Sequence, residues 1–259
     1  EAHICLEELV YMKKSTKITL ITISIIIAVL VVAIGGFFIY VNDDYDADSI
    51  ALDALNSSDV VAVSYNFEGD FYSFEPIVGY TRALVFIPGG KVEVEAYAPL
   101  MHKIASTGIL CILLKVKYNL AVFDKNAPSG IQKYYKDVDT WVIGGHSLGG
   151  VCSAYYISKH SDEYKGIVFL GSFPGEDLTE LNASALLLYG SQDKVMNRDK
   201  FEKAKSKLPN DYSIIEIEGA NHAQFGSYGP QAKDGIATIT PMDQWLITSG
   251  YVSAFIFAL

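Results

Sequence analysis

Apolar and polar stretches alternate along the chain, and their spacing predicts its elements. Residues 18–41 (ITLITISIIIAVLVVAIGGFFIYV) run without a charge, long enough as a helix to cross a bilayer. A polar, acidic stretch follows to about residue 57, with a short helical pattern over Ser49–Leu55. Val60–Tyr65 and Phe71–Phe74 then flank Glu68-Gly69-Asp70, which reads as a β-hairpin. Beyond it lie short apolar runs at Ala83–Ile87, Ile109–Leu114, Trp141–Gly144, Gly166–Gly171, Ala185–Tyr189 and Tyr212–Ile217. Helical spacing falls between them at Val94–Ser106, Lys133–Asp137, Val151–His160 and Asp199–Leu208, and closes the chain at Met242–Phe257.

Most of these runs are continuous instead of alternating, which marks strands covered on both faces, as in a parallel sheet between layers of helix. A hairpin followed by alternating strands and helices predicts an α/β class: a doubly wound, mostly parallel sheet with a leading antiparallel hairpin. The organisation that follows is an N-terminal segment (1–17), a transmembrane anchor (18–41), an acidic linker (42–57) and one folded domain (58–259). With 259 residues, half of them hydrophobic, the chain supports one substantial core.

Charge orients the apolar helix. Lys13, Lys14 and Lys17 precede it and Asp43, Asp44, Asp46 and Asp48 follow, so the positive-inside rule puts the N-terminus in the cytoplasm and the domain outside. A cleaved secretory signal is the competing reading, with Ala33-Ile-Gly35 the nearest small-residue site. Against it, signal cores run to only about 7–15 apolar residues. A buried core helix is the third reading. Met12-Lys-Lys-Ser-Thr-Lys looks like the natural opening of a bacterial exported protein. Glu7-Glu8 can be encoded GAGGAG, like a ribosome-binding site. Residues 1–11 are therefore expected to be translated leader.

From Asn42 onward 17 Lys and Arg face 27 Asp and Glu, so the outer part carries the net −10 of the whole chain. No basic stripe interrupts this, which argues against a nucleic-acid partner. Cys5 lies in the expected leader. Cys111 and Cys152 read either as a disulfide, if their strand and helix pack together, or as two buried thiols. No Cys or His pair has zinc-ligand spacing, and no metal or cofactor is expected.

The chemistry gathers around Gly145-His146-Ser147-Leu148-Gly149. Five such residues are a weak signal alone. Their place, between an apolar strand and a helix, is what a nucleophile elbow requires: a tight turn that lifts the Ser147 hydroxyl off the sheet. Serine is a poor nucleophile at neutral pH and needs a base and an orienting acid. In folds with this elbow the order is serine, acid, histidine. Asp193 (in Tyr189-Gly-Ser-Gln-Asp-Lys194) and His222 (in Glu218-Gly-Ala-Asn-His-Ala-Gln-Phe-Gly226) supply it, each just past a strand, where open parallel sheets place their sites.

Plainer readings stand beside these. Asp193 can cap a turn, and Glu176 and Asp177 are rival acids on the loop after Gly166–Gly171. His160 reads as a helix C-terminal cap and His146 as a packed residue. His102 falls within a helix and His3 in the leader. A tetrahedral oxyanion needs donors: the Leu148 N–H at the helix start, and the Gly90 N–H, or else that of Lys91, in Phe86-Ile-Pro-Gly-Gly-Lys91. A tight turn with no ligand is the alternative there. Tyr118, Asn119, Leu120 and Phe123 line a pocket or form an ordinary loop. Gln224, Phe225 and Tyr228 shape the site or brace it.

Phe86-Ile-Pro-Gly-Gly-Lys-Val-Glu-Val-Glu-Ala-Tyr97, the elbow, Gly166–Gly171 and Asn221-His-Ala-Gln-Phe-Gly-Ser-Tyr-Gly229 together resemble the α/β-hydrolase superfamily, in a small bacterial membrane-anchored or exported branch. The resemblance spans about residues 58–259. It implies hydrolysis of an ester or related acyl bond through a covalent acyl-enzyme without metal or organic cofactor, with Ser147 as nucleophile, His222 as base and Asp193 as acid. Pro88-Gly-Gly departs from the His-Gly-Gly of many esterases. About a dozen residues separate Gly166–Gly171 from Ala185–Tyr189, too few for a helical lid, so an open site for short acyl groups is expected. An acyltransferase or peptidase on cell-envelope material, and an inactive surface-binding domain, are the alternatives. Oligomeric state is left open. Mass spectrometry of the native N-terminus is expected to begin at Met12; a peptide spanning Leu9–Lys13 would refute the leader.

Overall fold

A computed structural model describes residues 14–259; the expected leader, with His3 and Cys5, lies outside the described residues. Helix α1 (Lys14–Val41) forms one unit with the residues to Asp43. Its Ile18–Val41 portion has a mean hydropathy of 2.9 and is long and apolar enough to cross a membrane. Exposed side chains at Ile25, Ile26 and Ile27 in succession leave it with no polar face.

Asp44–Leu259 is a second compact unit. Its elements are α2 (Ser49–Asp53), β1 (Val61–Asn66), β2 (Phe71–Pro76), β3 (Arg82–Ile87), α3 (Ala98–Ala105), β4 (Leu110–Leu114), β5 (Thr140–His146), α4 (Leu148–Ile157), β6 (Gly166–Leu170), β7 (Ser184–Gly190), α5 (Arg198–Ala204), β8 (Tyr212–Ile217) and α6 (Pro241–Ala258). The strands make one sheet in the order β1-β2-β4-β3-β5-β6-β7-β8. β2 is antiparallel to both β1 and β4, and every other pairing is parallel. The α/β class, the leading hairpin and the parallel remainder are as the apolar runs predict.

Burial explains those runs. Every residue of β4 and β6 is buried because each strand feeds two cores. On one face Leu100, Met101 and Ile104 of α3 meet Trp245, Val252 and Ile256 of α6. On the other, Cys152, Tyr156 and Ile157 of α4 pack with Phe201 of α5. Burying one such side chain contributes about 1.5–3 kcal/mol. Cys111 belongs to the first core and Cys152 to the second. The sheet lies between them, and both thiols are free.

Three details depart from the periodicity. The predicted helix Val94–Ser106 opens as a 3-10 turn, Val94–Tyr97, before α3; Pro99, without an N–H, fits the first turn of a helix and not its interior. Lys133–Asp137 forms no α-helix; a single 3-10 turn, Ile131–Tyr134, overlaps only its first two residues. Residues 44–57, expected as linker, belong to the compact unit. Tyr45 donates its N–H to the Lys91 carbonyl (2.8 Å). Asp48 caps α2 through Ala51 N–H and accepts the Ser227 hydroxyl (2.8 Å). Chain acidity here serves a helix start as well as solubility.

At α6, Thr240 and Asp243 form a capping box with Pro241 in the first turn. Trp245 is 1% exposed, and its indole Nε1 has no partner among the described residues. Trp245→Ala is expected to cost about 3–5 kcal/mol through the cavity it opens. Trp245→Phe should cost less than half of that, since it also removes a buried unpaired donor. Urea denaturation of the purified chain measures both; equal losses would contradict this account.

Candidate active site

β5 ends at His146 and α4 begins at Leu148, so one residue makes the turn between them. That residue, Ser147, has φ 51° and ψ −119°, a conformation that costs a non-glycine residue on the order of 1–3 kcal/mol. Backbone crowding sets the motif. A Cβ on Gly145 would overlap the Gly149 carbonyl, and one on Gly149 would overlap the carbonyls of Ile87 and Pro88 at the end of β3. Two hydrogen bonds hold the turn itself: Ser147 N–H to the Leu170 carbonyl (3.0 Å), and the Ser172 hydroxyl to the Ser147 carbonyl (2.6 Å). The serine is half-buried at the C-terminal edge of the parallel sheet.

Asp193 and His222 meet at that edge. Asp193 follows β7, and its Oδ1 accepts the N–H groups of Val195 (2.9 Å) and Met196 (2.8 Å). Its Oδ2 pairs with His222 Nδ1 at 2.8 Å, both side chains sealed from solvent. One oxygen therefore serves the turn and the other the histidine. With Nδ1–H facing a carboxylate, the neutral ring presents its lone pair at Nε2. Nε2 is buried and has no hydrogen-bond partner among the described residues, so its bond to Ser147 Oγ is not formed in this structure. Such bonds commonly tighten only with substrate present.

Contacts around the pair bring the serine and histidine together. Ser147 hydrogen-bonds to Leu170, and the next residue, Gly171, touches the acid–base pair. Gly171 has φ +51°, and a Cβ there would stand 2.8 Å from His222 Nδ1 and 3.2 Å from Asp193 Oδ2. His146, beside the serine, lies with its ring centroid 4.4 Å from that of His222.

Two residues that sequence reasoning missed fasten the loops. Asp234 accepts Ala223 N–H with Oδ2 (2.8 Å) and Lys194 N–H with Oδ1 (3.3 Å). It thereby ties the segment beside His222 to the segment beside Asp193. Gln244, buried in α6, accepts the Asn221 N–H (3.1 Å) and donates to the Asn221 carbonyl (2.9 Å). Asn221 Nδ2 in turn donates to the Gly235 carbonyl (2.9 Å). No spacing rule announces either residue, because their partners are backbone groups set by tertiary folding.

Gly90 faces the elbow: a Cβ on it would lie 2.8 Å from Leu148 Cδ2 and 3.4 Å from Leu120 Cδ2. Lys91, the second-choice oxyanion donor, is corrected, because its N–H already donates to the Asn119 carbonyl (2.7 Å). Phe225 is corrected as a substrate contact. It is fully buried, its ring centroid 5.6 Å from that of His146, and it braces the histidine loop. Tyr118 is 49% exposed and meets Phe123 edge-on. Asn119 bonds Asp44 through its side chain, securing the loop below Tyr118.

Of the rival acids, Asp177 sits on an exposed turn, accepting the N–H and hydroxyl of Thr179, and Glu176 is exposed beside it. His160 stacks on Tyr156 and pairs with Glu163. Between β6 and β7, residues 171–183 contain no helix. Among the described residues no group of three His, Cys, Asp or Glu side chains is placed to hold a metal.

A parallel sheet carrying a strained serine elbow and a buried Asp–His pair at its C-terminal edge defines a class of hydrolase. A model of the alpha/beta hydrolase family matches residues 83–246, and the chain belongs to that family. Solved structures share the fold. One is a predicted CIB-like hydrolase from Thermoplasma acidophilum, with 16% identity and a TM-score of 0.53 over 75% of this chain and 99% of the other. Another is Est1E from Butyrivibrio proteoclasticus, with 12% identity and a TM-score of 0.53 over 77% and 98%. No curated protein sequence matches the chain.

Gly171→Ala is expected to lower stability by about 1–3 kcal/mol through strain at positive φ and to displace the His222 ring. The downfield Nδ1–H proton resonance of His222 should shift or vanish. An unchanged resonance would contradict the close approach described here.

Proposed function

We propose that the chain is a serine hydrolase acting on small or short-acyl carboxylic esters, tethered to the cell membrane by Ile18–Val41 with its folded unit outside. The observation that carries this reading is the sealed 2.8 Å Asp193–His222 pair beside a strained serine elbow. The family to which the chain belongs supports hydrolysis. The name of Est1E, and the absence of a helix between β6 and β7, favour an ester at an open site.

Each residue then has one task. Ser147 Oγ attacks the ester carbonyl carbon as its proton passes to His222 Nε2, and Asp193 stabilises the resulting imidazolium. The carbonyl oxygen, now an oxyanion, takes hydrogen bonds from the N–H groups of Leu148 and Gly90. Among the described residues neither N–H has an acceptor outside regular elements, whereas Gly89 and Lys91, either side of Gly90, are engaged. Collapse of the intermediate breaks the carbonyl–oxygen bond and expels the alcohol, which takes the proton from His222. Water then attacks the acyl-serine, giving its proton to the same nitrogen, and the acid leaves. A helix start at Leu148 adds its dipole to the oxyanion's surroundings.

Full-length protein in membranes, treated with a fluorophosphonate probe, should label stoichiometrically. Ser147→Ala should abolish labelling, and His222→Ala should slow it by several orders of magnitude. With p-nitrophenyl esters, kcat/KM should be highest for short acyl chains. Labelling that survives Ser147→Ala would refute the nucleophile, and a preference for long chains would refute the open site.

A further inference from the structure

His146 occupies the variable position of the elbow, yet it is 1% exposed and fully engaged at Nδ1, 2.8 Å from the Tyr97 hydroxyl. Tyr97, from the 3-10 turn before α3, is also completely buried. Its oxygen accepts the Gly89 N–H at 3.0 Å. The two bonds together fix the protons. Gly89 N–H can only donate, so the phenol oxygen accepts there. The phenol proton then needs an acceptor, and His146 Nδ1 is the only one within reach among the described residues. Nδ1 is thus unprotonated, and a neutral His146 carries its proton on Nε2. Burial, and next the neighbouring His222, hold the His146 pKa well below its ordinary value, consistent with a ring that stays neutral.

The same three groups meet from separate elements. A Cβ on Gly89 would stand 2.6 Å from Tyr97 Oη and 2.8 Å from His146 Nδ1, so the glycine leaves room for the pair. The loop Pro88-Gly89-Gly90-Lys91 has no histidine of its own. Its Gly89 N–H is drawn inward to Tyr97 and its Lys91 N–H outward to Asn119. Gly90, between them, lies against Leu148 of the elbow. His146 also packs against His222 at 4.4 Å and Phe225 at 5.6 Å between ring centroids.

We propose that Gly89 N–H, Tyr97 Oη and His146 Nδ1 form a hydrogen-bonded relay by which Tyr97 and His146 act as positioning residues, setting the loop that presents Gly90 N–H to the oxyanion. The proposal rests on the serine-hydrolase reading. Both side chains are buried, which leaves them a positioning role and not a contact with substrate. Their effect falls on transition-state stabilisation, because the ground-state ester carbonyl makes weaker use of that donor than the oxyanion does.

Tyr97→Phe keeps the ring and removes the hydroxyl. It should lower kcat about 10- to 100-fold, since misplacement by about an ångström costs on that order, while KM changes less than about twofold. His146→Leu should match it. His146→Asn, which retains an acceptor near the Nδ1 position, should recover most of that loss. The double variant Tyr97→Phe/His146→Leu should be no slower than either single one, as members of one chain are not additive. Rates are referred to sites titrated by the fluorophosphonate, which discounts unfolded protein. Nitrogen-15 NMR of the histidines in the parent gives a reading independent of activity: His146 should show the Nε2–H form.

Unchanged kcat in Tyr97→Phe, additive losses, or no difference between the Asn and Leu variants would overturn the relay. So would a parent His146 with its proton on Nδ1, even if Ser147 labels normally. A parent that does not label at Ser147 would overturn the hydrolase reading, and the positioning role with it; a correct tautomer in that protein would show which of the two had failed.

Discussion

Direct backbone contact between the β5–α4 turn and its neighbours is the constraint on which the site depends. The elbow leaves no room for side chains on its inner side. Gly145 and Gly149 touch each other, Gly149 also rests on the last carbonyls of β3, and Gly150 lies against Ser172. That closeness holds Ser147 at positive φ, with φ 51° and ψ −119°. Strain of this kind persists only where surrounding structure over-determines it. Here hydrogen bonds from β6 and from Ser172 do so.

From this turn the remaining groups are placed by a buried polar framework. Asp193 divides its two oxygens between its own turn and His222. Asp234 spans the loops on which the pair sits, and Gln244 and Asn221 anchor the histidine loop to α6. Buried polar groups are expensive unless paired, and in this region nearly all are. Among the described residues, His146 Nε2, His222 Nε2 and Gln224 Oε1 are exceptions. The His222 nitrogen is the one the proposed chemistry asks to accept a proton. An orphaned acceptor in a sealed pair is a stability cost that a hydrolase of this design must carry.

Much of this was legible in the residues. Unbroken apolar runs such as Ile109–Leu114 and Gly166–Gly171 marked strands buried on both faces, and both form buried strands of the sheet. The five residues of the elbow, and the order Ser147, Asp193, His222, pointed to loops that follow β5, β7 and β8, because strand ends are visible as the ends of apolar runs; the fold joins the last two residues by a hydrogen bond. Lys91 and Phe225 were misassigned for a different reason. Whether a backbone N–H is already engaged, or a phenylalanine is sealed, depends on residues far away in sequence: Asn119 for the first, His146 for the second. Residues 44–57 looked like linker because their composition is acidic; their contacts with Lys91 and Ser227 are non-local.

By itself the sequence determined what periodicity and local sterics control: an apolar helix at Ile18–Val41, a doubly wound sheet behind a hairpin, and a glycine-flanked serine between strand and helix. These are short-range matters, settled by side-chain spacing of two or 3.6 residues and by where a Cβ can fit. Tertiary structure alone decided which polar atoms pair. It set the cysteines on opposite faces of the sheet, closed Asp193 onto His222, and led Gly89 through Tyr97 to His146. Such pairings rest on distances of about 3 Å between segments remote in sequence, and no local pattern encodes them.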